Sequence, residues 1–133
     1  MPYLKLRTTL VQSKEAADNI VGILMQHTGE VLGKRAEVTA IDIEFSSPGT
    51  WFIHGMPVGE QQVATFHLDV KITEGTNTKT EKALYMKKVF SSLESTFGPL
   101  APASYIVLHD VPADSWGFQG QAQEYRFIHS QTF

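Results

Sequence analysis

Cysteine is absent from all 133 residues. Its absence excludes a disulfide framework, a thiol nucleophile and thiolate-bound metal, and it is compatible with a reducing cytoplasm, the compartment expected here. Basic charge is also scarce. Eleven Lys and Arg stand against 14 Asp and Glu, giving a formal net charge of -3. No basic run occurs, so there is no electrostatic reason to expect a nucleic-acid partner. No apolar run approaches membrane-spanning length, and the opening MPYLKLRTTL lacks the apolar stretch of a signal peptide. No membrane association is expected. The five histidines (His27, His54, His67, His109 and His129) show no metal-ligand spacing. They read as structural or surface residues, and neither metal nor cofactor is expected. What is present is the composition of an ordinary globular domain, 42% hydrophobic and 19% charged.

An internal repeat organises the chain. Ile41 and Ile106, Trp51 and Trp116, and Gly55 and Gly120 share one offset of 65 positions, as do Ser13 and Thr78, Lys14 and Lys79, and Gly33 and Gly98. The identities are few, but each pair falls at a structural landmark. The reading is a single domain over residues 1–133, built of repeat units 1–62 and 63–133.

Each unit reads as strand, helix, strand. In the first, residues 2–8 are short, aliphatic and extended. Ser13 is placed to cap a helix whose Ala17, Ile20, Val21, Leu24, Thr28 and Val31 follow helical spacing. Gly33 ends that helix as a left-handed cap. Residues 38–45 form a β-branched, alternating strand, broken by Ser46-Ser47-Pro48-Gly49. In the second unit, residues 64–73 form a strand with Phe66, Leu68, Val70 and Ile72 on one face. Thr78 starts a helix with Met86, Val89, Phe90, Leu93 and Phe97 as its buried stripe, and Gly98-Pro99 stops it. Residues 104–111 form the matching strand, and residues 124–128 suggest a last short one.

Crossover helices make the strand pairs within each unit parallel. Joined, the units predict an α/β (α+β) fold: two β-α-β units related by a pseudo-twofold, with a four-stranded mixed sheet and both helices on one face. Alternation places Lys71, Tyr105, Val107 and His109 on the other face. With no further helix expected, that face implies an oligomer.

This layout resembles the tautomerase superfamily. Four segments carry the likeness: Met1-Pro2 leading straight into a strand; Ile72-Thr73-Glu74-Gly75 before a helix, preceded by residues 67–72; Gly33-Lys34 before a strand; and Tyr105-Ile106 followed by residues 114–125, with Trp116, Phe118 and Gly120. The resemblance implies a homotrimer with active sites between subunits. It also implies a cofactor-independent keto–enol tautomerase acting on a 2-keto acid or related enol.

The catalytic base implied is Pro2, once Met1 is removed. A free N-terminal proline is a secondary amine, titrating near about 8 in the open. An apolar pocket and nearby cations lower that value toward the range useful for proton abstraction α to a carbonyl. The resemblance also implies roles for five further residues, each with a structural alternative. Lys34 matches a lysine that pairs with substrate carboxylate, or it is a C-terminal helix charge. Tyr105 matches a tyrosine supplied by a neighbouring subunit to stabilise a developing enolate oxygen, or it packs an interface. Lys71 lies level with a pocket residue, or it is simply solvated. Trp116 and Phe118 match an apolar pocket wall, or they are core aromatics.

Where relatives carry carboxylate-binding arginines, this chain has Thr73 and Thr76. Threonine supplies neither charge nor a bidentate fork. That argues against dehalogenation, against decarboxylation and against a muconate-type dicarboxylate. Such a dehalogenase or decarboxylase, or a non-catalytic trimeric binding module, are the alternative functions.

Overall fold

The structure is a computed structural model in which residues 1–130 are described, without the side chains of residues 126, 127, 129 and 130. The reading of His129 therefore falls outside the described side chains. The first unit consists of β1 (Tyr3–Thr8), α1 (Lys14–Glu30), β2 (Ala40–Phe45) and a small hairpin of β3 (Phe52–Ile53) and β4 (Met56–Pro57). The second consists of β5 (Phe66–Thr73), α2 (Lys79–Phe97), β6 (Tyr105–Val111), a hairpin of β7 (Gly117–Phe118) and β8 (Gln121–Ala122), and α3 (Gln123–Ser130).

The main sheet has the order β2-β1-β5-β6. Within each unit the strands are parallel, and the two units meet antiparallel at β1 and β5 with Leu6 opposite Leu68. Alternation puts Leu4, Leu6, Phe66, Leu68, Val70 and Ile72 on the helix-covered face, each at most 2% exposed. Ile20 and Leu24 of α1, with Tyr85, Val89 and Leu93 of α2, close the core above them. Burying each such side chain favours folding by roughly 1.5–3 kcal/mol.

The helix boundaries follow local chemistry. Ser13 accepts the amide of Ala16, and Thr78 and Glu81 form a reciprocal capping box. Gly33 takes φ 67 just past α1, which a residue with a Cβ adopts only at a cost. Residues 36–38 form a single 3-10 turn, so β2 begins later than the sequence pattern suggests.

Three sequence expectations are corrected. Residues 124–128 lie in helix α3, which follows directly on a hairpin turn, rather than in a strand. Met86 and Val21 are exposed, because the helix-to-helix seam uses the neighbouring positions. Tyr85 and His27 are buried instead: the Tyr85 hydroxyl lies 3.0 Å from Thr28 Oγ1, and His27 Nε2 lies 2.7 Å from Ser92 Oγ.

Among the described residues, neither α1 nor α2 covers the opposite sheet face. Its residues on β1 and β2 form a ladder of polar contacts. Tyr3 donates to Asp42 at 2.7 Å, Lys5 bridges Asp42 and Glu44, and Arg7 pairs with Glu44. On β5 and β6, His67 and His109 flank Asp69. Tyr105 is 58% exposed there and Lys71 is also exposed.

Candidate active site at the chain start

Pro2 precedes β1 on the helix-covered face and is buried. Its carbonyl accepts the amide of Ala40, which locks the start of β1 against β2. The terminal ammonium, carried by Met1, is partly buried in the same place. Burial, and then the positive charges of Lys34 and Arg35, pull it below its ordinary value of about 8. The chain start thus lies among cations and is partly shielded from solvent.

Lys34 arrives from the turn that ends α1. Its amide donates to the Thr28 carbonyl, closing the helix end. Its ammonium donates to Thr76 Oγ1 at 2.7 Å. Burial lowers the Lys34 ammonium from its usual value, while Glu81 and Asp110 oppose that shift. Asp110 is itself held by Lys82. Sequence reasoning missed Arg35, although the doublet Lys34-Arg35 was its signal. Arg35 is pinned by Glu37, through Nε at 2.7 Å.

Loop 73–78 forms the adjacent wall. Thr76 donates to the Thr73 carbonyl at 2.6 Å, and Asn77 donates to the Leu32 carbonyl at 2.9 Å. The two loops, one from each repeat unit, are stitched together beside the chain start.

The remaining candidates are not gathered there within one chain. Lys71 pairs with Tyr3 in register, but its side chain projects from the uncovered face. Tyr105 lies beside His67 at the far end of β6. It lines a groove of about 400 Å³ between α2 and β6, with Met86, Phe90 and Ile106. β6 then runs toward the Pro2 end, where the Glu74 amide donates to the Val111 carbonyl. The hairpin bearing Trp116 and Phe118 leaves from that end, with both aromatics half-buried. Among the described residues, no group of His, Asp and Glu is arranged to hold a metal ion, and no helix is long and apolar enough to cross a membrane.

Fold and site together define a duplicated β-α-β protein with its terminal amine set among cations. Residues 67–124 match the family model described as Tautomerase enzyme. Solved structures with the same fold include R7, a fused 4-OT described as a wild-type asymmetric trimer, with TM-score 0.82 and 15% identity over 94% of this chain and 98% of that one. A macrophage migration inhibitory factor homologue from Prochlorococcus marinus has TM-score 0.73 and 21% identity, over 90% and 97%. A similar protein from Entamoeba histolytica has TM-score 0.74 and 18% identity, over 91% and 97%. No curated protein matches the chain in sequence. The sequence match to that family thus lies within the second unit, whereas the likeness in fold to these structures extends over nearly the whole chain.

Proposed function

We propose that the protein is a cofactor-independent keto–enol tautomerase acting on a 2-keto acid or related enol, with Pro2 as general base after removal of Met1. The observation that carries this reading is the placement of the chain's first amine, half-buried beside Lys34 and Arg35. Burial and the two cations disfavour the ammonium form of a secondary amine held there, which favours the free amine that accepts a carbon-bound proton. The proline ring limits backbone freedom at that position, so the nitrogen keeps one direction.

In the reaction, the proline nitrogen removes a proton α to the substrate carbonyl. Charge then develops on the carbonyl oxygen, and the same nitrogen returns the proton to the alternative atom. Lys34 binds the substrate carboxylate. Tyr105 donates to the enolate oxygen, Lys71 adds positive potential, and Trp116 and Phe118 exclude water.

Because Tyr105 and Lys71 lie away from Pro2 in one chain, this reading needs them to come from a neighbouring copy. It therefore includes a homotrimer with sites between subunits. The trimeric form of the fused 4-OT relative supports that assembly.

The experiment is ketonisation of phenylpyruvate enol, followed by loss of enol absorbance, with the Pro2→Ala variant in parallel. Wild-type protein lacking Met1 turns over. The variant falls by about 10²–10⁴-fold, the usual contribution of a positioned base. Equal rates in the two proteins would remove the proposal.

A further inference from the structure

We infer that Thr76 is a positioning residue for Lys34, holding its ammonium as a fixed anchor for the substrate carboxylate. This deepens the proposed tautomerase reading and rests on it for the identity of the substrate. The position reads in sequence as the loss of a charged group, but the structure gives it a defined task.

Thr76 Oγ1 sits between two partners. It donates its only proton to the Thr73 carbonyl at 2.6 Å. Its lone pairs are then left to accept, and the Lys34 ammonium fills one of them at 2.7 Å. Lys34 is a donor only, so it needs an acceptor there, and the hydroxyl oxygen supplies one. The ammonium is therefore fixed by one N–H, and two N–H groups stay available for a carboxylate.

The loop that carries Thr76 is itself fixed. Asn77 ties it to Leu32 at the end of α1, and the capping box of Thr78 and Glu81 orders its exit. A short β-branched side chain on a braced loop is a stiff acceptor. It counters the high rotamer entropy that a lysine otherwise retains.

The test uses Thr76→Val and Thr76→Ser in the full-length protein, with the Lys34 ammonium followed by ¹³Cε NMR titration of lysine-labelled, ligand-free protein. Thr76→Val lowers the Lys34 pKa below the wild-type value, because the charged form loses an acceptor, and Thr76→Ser restores it. In turnover, Thr76→Val raises KM for phenylpyruvate about tenfold, the effect of one lost charge-assisted hydrogen bond. It leaves kcat within about twofold, and Thr76→Ser returns KM.

A Lys34 titration unchanged in Thr76→Val overturns the positioning role whatever the activity. A Lys34 titration that moves as expected, in a protein without turnover, upholds the positioning and defeats the tautomerase reading instead.

Discussion

His27 and Ser92 stand 65 positions apart in sequence and 2.7 Å apart in space, and the first number explains the second. Sixty-five is the offset of the internal repeat, so the two residues are counterparts in α1 and α2. Counterparts can touch only where a pseudo-twofold axis passes between them. The same axis relates the hairpins: the Trp51 carbonyl accepts the Val58 amide at 2.8 Å, and the Trp116 carbonyl accepts the Gln123 amide at 2.8 Å. Both turns place a non-glycine and then a glycine at positive φ, His54-Gly55 and Gln119-Gly120.

The buried His27 makes stability depend on pH. Burial, then the nearby Lys88, lowers its folded pKa from the ordinary 6.5, with Glu30 opposing. As pH falls through that ordinary value the unfolded chain takes up the proton first, so stability falls. Above it His27 makes no such contribution. Thermal melts between pH 7.5 and 5.5 therefore show a loss of Tm that His27→Gln reduces. An equal loss in both proteins would discard this source.

Thr28 and Tyr85 form the other polar contact between the helices. The Tyr85 hydroxyl is buried and its pKa is pushed up to about 12, chiefly by burial. Tyr85→Phe leaves Thr28 Oγ1 buried without its partner and costs about 1–3 kcal/mol in denaturant unfolding. Adding Thr28→Val recovers a measurable part of that loss, which distinguishes a broken hydrogen bond from simple loss of packing.

Two glycine substitutions have opposite signs. Gly22 lies inside α1, and a Cβ there meets nothing within 4 Å, so Gly22→Ala stabilises by about 1 kcal/mol through helix propensity. Gly55 has equal space but φ 71. Gly55→Ala there destabilises by about 1–2 kcal/mol because the left-handed conformation crowds a Cβ. Matched urea titrations of both variants check the pair.

Much of the architecture was readable because its signals are local. Ser13, Thr78, Gly33 and Gly98 mark helix ends by capping chemistry, and Phe66 to Ile72 mark a strand by alternation. The seam between helices was read less well. Apolarity pointed to Met86 and Val21, whereas Tyr85 and His27 are the buried residues, made tolerable by partners on the other helix. Residues 124–128 were misread as a strand for lack of context: α3 begins where a hairpin ends. In the candidate site, the chain start and Lys34 stood out, but the contact from Lys34 to Thr76 spans 42 positions. No periodicity reports a pairing of that kind, and Thr76 looked only like a missing charge.

The electrostatics of the chain start give a kinetic prediction. Lys34 and Arg35 both depress the terminal amine. In protein lacking Met1, kcat/KM rises with pH through one ionisation below about 8. Lys34→Ala and Arg35→Ala each move that limb to higher pH, because removing a positive charge favours the ammonium. A limb that stays in place in both variants would separate the active base from these cations.

Covalent capture tests the central claim most directly. An unprotonated amine adds to an alkyne carbon conjugated with a ketone, as in 2-oxo-3-pentynoate, and its proton moves to the adjacent carbon. With protein lacking Met1 at neutral pH, tandem mass spectrometry should find one adduct per chain, on the Pro2 nitrogen, with loss of enol ketonisation in step. Inactivation with the adduct on Lys34, or an unmodified Pro2 after prolonged exposure, would contradict the account.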